Sequence, residues 1–281
     1  MRFAKGHGTE NDFLLIPDPD GRMELTSGTA AALCDRRTGL GADGVLRVVR
    51  SLASGIPKIE ALAGTAEWFM DCRNADGSVG QMCGNGARVF ARFLVDTGLA
   101  APGTWSIATM AGPRRVTVAS SGDISVDMGT PEILGPGTVV LAGREHRGHR
   151  VSMGNPHLAC PVDIPIADLD LTSPPGFDAS VFGDGVNVEF FQFLGDRHIA
   201  MRVHERGVGE TRSCGTGAVA AAVAAALTSS ASPAGILPKS CWRVDVPGGR
   251  LTIMLDDRSS HLSGPAVVVA EGEVVSGAFT R

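Results

Sequence analysis

Cys83-Gly84-Asn85-Gly86-Ala87 returns 131 residues later as Cys214-Gly215-Thr216-Gly217-Ala218. Each copy stands directly before a stretch with helical character. Residues 85–97 place Val89, Phe90, Phe93 and Leu94 on one face, with Gly98 as the stop. Residues 217–227 are alanine-rich and apolar all round, which predicts a centrally buried helix. Nine residues before each cysteine a polar residue opens a Gly-rich approach, Asn74 in N-A-D-G-S-V-G-Q-M and Glu205 in E-R-G-V-G-E-T-R-S. Earlier, D-G-V-L-R-V-V at 43–49 resembles D-G-V-N-V-E-F at 184–190, and the Asn11 region pairs loosely with the Asn155 region. Matches in one order predict an internal duplication. Two copies are too few for a solenoid, so the chain reads as two similar α/β halves facing one another.

The rest of the chain fits that plan. Residues 13–16, 45–49, 106–109, 115–118, 124–128, 187–193, 200–204, 243–246 and 251–255 have strand length and composition, bounded by Gly, Pro and Asp. Much of 51–65 and the stretch T-S-S-A-S-P-A-G-I-L-P at 228–238 read as loops.

Composition excludes several function classes. Of 281 residues 43% are hydrophobic and 20% charged, a globular balance, and the net charge of −5 carries no block of one sign. Binding to a phosphate backbone is therefore not expected. With no tyrosine and only Lys5, Lys58 and Lys239, phenol chemistry is absent and Schiff-base chemistry has few candidates. The longest apolar stretch, 217–227, is far short of the ~18–20 residues that cross a bilayer. The opening M-R-F-A-K-G-H-G lacks a signal-peptide core. The expectation is a cytoplasmic, soluble protein with no membrane or nucleic-acid partner.

Several motifs have bland readings. Gly39, Gly41 and Gly44 spell G-x-G-x-x-G, but a strand-like run follows where a dinucleotide fingerprint needs a helix. H-R-G-H at 146–149 has metal-like spacing in a basic turn, and no C-x-x-C pair is present, so no metal site is expected. Cys34, Cys72, Cys160 and Cys241 read as small buried hydrophobes.

Cys83 and Cys214 differ because each opens a helix, where unpaired N–H groups and the dipole favour a thiolate. The glycines that follow leave those N–H groups open to a ligand carboxylate. Two equivalent thiols suit a two-base inversion, one removing a proton from a carbon and the other delivering a proton from the opposite side. A nucleophilic cysteine enzyme would leave the second motif unexplained. Other readings are a racemase for another amino acid and a non-catalytic amino-acid-binding or redox-sensing relative.

Nearly the whole chain resembles the diaminopimelate epimerases, the pyridoxal-independent epimerases of lysine and peptidoglycan precursor synthesis. The resemblance rests on N-D-F at Asn11, R-N-A-D-G-S-V-G-Q-M-C-G-N-G-A-R at 73–88, M-G-N-P-H at 153–157, G-V-N-V at 185–188 and E-R-G-V-G-E-T-R-S-C-G-T-G at 205–217. It implies two pseudo-symmetric lobes, each a barrel-like sheet around a central helix, with the site in the cleft between them. The lobes would be 1–128 plus 265–281, carrying Cys83, and 129–264, carrying Cys214. It implies Cys83 and Cys214 as the acid–base pair, with Gly84, Asn85, Gly215 and Thr216 binding the carboxylate at the reacting centre. Asn11, Asn74, Asn155, Asn187 and Arg206 would hold the distal amino-acid end, Glu205 would also contact substrate, and Glu205 and His157 would set the thiols' protonation. Gly44 stands where some members carry a glutamine that contacts substrate. No cofactor and no metal are implied. A homodimer is implied, although the tyrosine that can serve the family's dimer contact is absent and His261 stands in that place.

Overall fold

The computed structural model describes residues 1–120, 122–229, 239–257 and 259–275. The chain divides into two compact units, Met1–Val126 with Gly264–Arg281 and Asp127–Ser263. The first runs β1 (Arg2–Gly8), β2 (Asn11–Pro17), α1 (Ser27–Cys34), β3 (Gly44–Arg50), α2 (Pro57–Glu60), β4 (Trp68–Asn74), α3 (Gly84–Asp96), β5 (Gly103–Thr109), β6 (Gly112–Val118) and β7 (Ile124–Gly129). The second runs β8 (Glu132–Leu141), β9 (Arg144–Ser152), β10 (Pro156–Pro161), β11 (Gly176–Phe177), α4 (Ala179–Phe182), β12 (Asn187–Gly195), β13 (His198–Glu205), β14 (Gly209–Thr211), α5 (Gly215–Ser229), β15 (Ser240–Val246), β16 (Gly249–Leu255) and β17 (Ser260–Gly264). The chain then returns to the first unit with β18 (Val267–Glu273).

Strand pairing displays the duplication directly. In the first unit the order β18-β1-β2-β3-β4-β5-β6-β7 pairs antiparallel, antiparallel, parallel, antiparallel, parallel, antiparallel, antiparallel. In the second unit β8-β9-β10-β12-β13-β15-β16-β17 repeats that series in the same sequence of senses. Each sheet wraps one helix: α3 touches β1, β2, β3, β4, β6 and β18, and α5 touches β9, β10, β12, β13, β15 and β16. The register also corrects one sequence alignment. Gly44 faces Phe13 across β2 and β3, and Asn187 faces His157 across β10 and β12, so Gly44 corresponds to Asn187 and the D-G-V match is out by two residues.

The two central helices form for different local reasons. Cys83 has extended backbone and caps α3, and Gly98 ends it at φ 71° with the Leu99 N–H returning to the Leu94 carbonyl. Val89, Phe90, Phe93 and Leu94 are buried as expected, each contributing about 1.5–3 kcal/mol as an upper bound. Arg88, on the same helix, is also fully buried. In α5 every residue of 217–226 is buried, and its small side chains let the sheet close around it.

Other expectations need amendment. The helices begin at Gly84 and Gly215, earlier than the apolar pattern alone indicated. Thr228 and Ser229 close α5 rather than opening a loop, and the remainder of that expected loop, 230–238, lies outside the described residues. Within 51–65 the chain makes a 3-10 turn at Ser51–Ala53 and the short α2, started by Pro57 in its first turn. Cys241 is exposed because it points outward from β15, whereas Cys34, Cys72 and Cys160 are buried. His146 and His149 lie an odd number of residues apart on β9 and so face opposite sides of the strand, with His146 edge-on to Phe190 at 5.1 Å. Among the described residues no helix is long and apolar enough to cross a membrane.

Candidate active site

In the first unit the β1–β2 hairpin and the start of α3 bring Asn11, Cys83 and Asn85 together. The two-residue turn places Thr9 and Glu10 at φ 51° and 63°, the left-handed pair of a tight hairpin. Asn11 follows at the first position of β2. Its Nδ2 donates to Asp43 Oδ2 at 2.8 Å, and its Oδ1 accepts from Asn85 Nδ2 at 3.2 Å. The Cys83 thiol lies 3.9 Å from the same Oδ1. Asn85 Oδ1 in turn accepts from Arg88 Nη2 at 2.7 Å. Arg88 can only donate and the Asp43 carboxylate only accepts, so these two residues fix which way both amides point. Asp43 is itself held by Arg36, which also forks onto Asp12.

Cys83 Sγ accepts the Gly86 N–H at 3.3 Å. The Gly84 and Asn85 N–H groups lie in the first turn, before the ladder begins with the Ala87 N–H on the Cys83 carbonyl. Asn74 sits farther along the same rim, where its Nδ2 donates to Ser78 Oγ at 2.9 Å within a tight turn. Gly44 is its register partner on β3, and a Cβ there would come within 2.6 Å of the Arg73 carbonyl oxygen. The position therefore holds glycine for close strand approach.

The second unit repeats the arrangement with different chemistry. The Gly217 N–H donates to Cys214 Sγ at 3.4 Å, the Thr216 hydroxyl lies 3.5 Å from the same sulfur, and Gly215 and Thr216 form the first turn of α5. Asn187 accepts the Arg206 N–H at 2.9 Å and donates to the Pro156 carbonyl at 3.2 Å, tying the residue after Glu205 to the turn that carries Asn155 and His157. His157 Nε2 lies 3.1 Å from Asn155 Oδ1, and Nδ1 lies 2.7 Å from Glu189 Oε1. Glu205 accepts from the Thr211 hydroxyl at 2.5 Å. Burial pushes the Cys214 thiol well above its ordinary range, and the Glu205 and Glu189 carboxylates push it further in the same direction.

Sequence reasoning missed Glu189 and Arg88. Both are fully buried, and among the described residues Glu189 Oε2 with Arg88 Nε and Nη1 make no hydrogen bond. The available signal for Glu189 was an acid at an inward position of the strand N-V-E-F-F-Q-F; Arg88, in line with Arg92 one turn on and opposite the apolar face of α3, gave none.

A family model described as diaminopimelate epimerase matches residues 3–134 and 150–276. The diaminopimelate epimerase of Thermobifida fusca (strain YX) is 55% identical over 276 residues, covering 98% of this chain and 98% of its own length. That of Mycobacterium tuberculosis (strain ATCC 25618 / H37Rv) is 50% identical over 287 residues, covering 98% and 97%. Among solved structures, the phenazine biosynthesis protein of the PhzF family from Bacillus anthracis matches with TM-score 0.68 at 16% identity, over 98% of this chain and 99% of that one. That last likeness is one of fold.

Proposed function

Because the chain belongs to the diaminopimelate epimerase family, we propose that it interconverts LL- and meso-2,6-diaminopimelate, an isomerase reaction in which Cys83 and Cys214 exchange one α-proton. The observation that carries this reading is the equivalence of the two cysteines. Each precedes its unit's central helix, and each sulfur accepts the N–H of the glycine three residues on. Inversion of a carbon by two bases asks for one group that takes the proton and another that gives one. The duplicated motif supplies one thiol from each unit.

The weakly acidic α-proton is made removable by electrostatics. The first-turn N–H groups of Gly84, Asn85, Gly215 and Thr216 bind the α-carboxylate and stabilise the charge that develops on it. Asn11, Asn74, Asn155, Asn187 and Arg206 hold the distal amino-acid end, while Gly44 keeps that rim free of a side chain. Glu205 and His157 govern the protonation of the thiols. The reaction belongs to lysine and peptidoglycan precursor synthesis. We place it in the cytoplasm, where thiols stay reduced, and as a homodimer by family likeness. Sedimentation at micromolar concentration tests the dimer.

The deciding experiment incubates the protein with LL-diaminopimelate in heavy water and resolves the stereoisomers. Formation of the meso form with deuterium at the inverted carbon supports the reading. Exchange without inversion, or no exchange at all, overturns it.

A further inference from the structure

The two halves correspond position by position, and two mismatches sit at the helix starts that carry the cysteines. Phe13 corresponds to His157 through their partners Gly44 and Asn187, and Leu46 to Glu189, each two residues on along its strand. A Cβ at Gly86 would meet Leu46 and Phe13 at 3.4 and 3.5 Å, whereas one at Gly217 would meet Glu189 Oε1 at 2.6 Å. The start of α3 thus rests on an apolar pair and the start of α5 on an ionisable one. Five residues after each cysteine the contrast reverses, with Arg88 in the first unit and Val219 in the second, both fully buried.

Among the described residues Arg88 bonds to neutral oxygens, those of Asn85 and Thr9, at 2.7 and 3.2 Å. A buried cation without a bonded carboxylate favours any nearby anion. Burial lowers the Arg88 pKa to about 10, and a Cys83 thiolate acts to hold the proton on. Stabilisation of this kind is mutual. Asp123 also acts on Arg88, and Cys72 on β4 lies near Cys83 with its own thiol pushed up by burial. Around Cys214 the acting groups are the carboxylates of Glu205 on β13 and Glu189 on β12, the latter bonded to His157 on β10.

We propose that the halves are charge-polarised: in the resting protein Arg88 keeps the thiolate on Cys83, and Glu189 keeps the proton on Cys214. Arg88 and Glu189 are positioning residues, since neither is placed against substrate. The proposal rests on both cysteines being the reacting groups.

The test is alkylation by iodoacetamide across pH 5 to about 10, followed by mass mapping of the Cys83 and Cys214 peptides in the full chain without substrate. The midpoint pH of each profile is read rather than the plateau rate, because access alters the plateau only. Cys83 is expected to have the lower midpoint. Arg88→Gln should raise the Cys83 midpoint by about one pH unit or more, and Arg88→Lys should restore it. Glu189→Gln, close in shape and able to keep the His157 bond, should lower the Cys214 midpoint and leave that of Cys83 in place. If Arg88→Gln does not fold, Glu189→Gln and the parent profiles decide. A Cys214 midpoint at or below that of Cys83, or a Cys214 midpoint unmoved by Glu189→Gln, overturns the proposal. Because no substrate is present, failure of the epimerase reading would show in the heavy-water assay and leave this readout intact.

Discussion

Glu189 Oε1 lies 2.7 Å from His157 Nδ1, with both side chains fully enclosed. On its other side the imidazole Nε2 meets Asn155 Oδ1 at 3.1 Å, so both ring nitrogens are engaged. A single buried pair therefore links the turn at Asn155 to the start of α5. The same position in the first unit is occupied by Phe13 and Leu46, whose side chains make no hydrogen bond.

Cys83→Ala and Cys214→Ala should each cut epimerisation by at least the ~10²–10⁴-fold contributed by a general acid or base. Both should remain folded, because the capping contact that each loses is worth about 1 kcal/mol and the remaining contacts of each sulfur, to Asn11 and to Thr216, are long. Turnover of LL-substrate and a urea melt on each variant check the pair of claims. Either variant working at the parent rate would end the two-base reading.

The cysteine motifs were legible because capping is local: a small polar or thiol side chain followed by glycines marks a helix start wherever it occurs. The duplication was legible for the same reason. What the sequence concealed depends on which residues face inward. Glu189 lies in a run of Val and Phe that reads as an apolar strand, and only the register shows it beneath Gly217. Arg88 reads as a solvated helix residue until the hairpin carrying Thr9 closes over it. β1, with its two glycines and alternating polar residues, has no apolar run to announce it and exists through pairing with β2 and β18.

Two equivalent glycines should respond differently to alanine. Gly86→Ala meets Leu46 and Phe13 at ordinary contact distance, so the gain in helix propensity, at most ~1 kcal/mol, should leave stability unchanged or raised. Gly217→Ala drives a methyl to 2.6 Å from Glu189 Oε1 and 3.2 Å from Cys214 Cβ. Overpacking of that kind costs about 1–3 kcal/mol and should lower both stability and turnover. Equal denaturation midpoints for the two variants would contradict this asymmetry.

The pH dependence of stability carries a signature of Glu189. Burial holds its pKa above the ordinary 4.5, although His157 pulls in the opposite direction. A carboxyl raised on folding keeps more protons in the folded state, so its contribution is complete below about pH 4.5 and is lost as pH climbs through the folded value. Glu189→Gln cannot ionise, and its stability should fall less than the parent's between the acid side of that window and neutrality. Urea midpoints at about pH 4.5 and 7 measure the difference. A variant that falls as steeply as the parent would exclude Glu189 as the source.

The hairpin that presents Asn11 carries its own strain. Glu10 adopts φ 63°, a conformation costing a non-glycine residue on the order of 1 kcal/mol, and tight two-residue turns favour glycine there. Thr9 shares the strain at φ 51° but is held by Arg88 Nη2 on its hydroxyl, so removing its side chain would expose a buried donor. Glu10→Gly should therefore stabilise the protein by up to about 1 kcal/mol, whereas Thr9→Gly should give no gain because the loss of that bond offsets the relief. Asn11 stays anchored to Asp43 and Asn85 in both, so KM for LL-substrate should not change in Glu10→Gly. Thermal melts of the two variants beside the parent separate the contributions, and a Thr9→Gly protein more stable than Glu10→Gly would show that the Arg88 bond does not hold the turn.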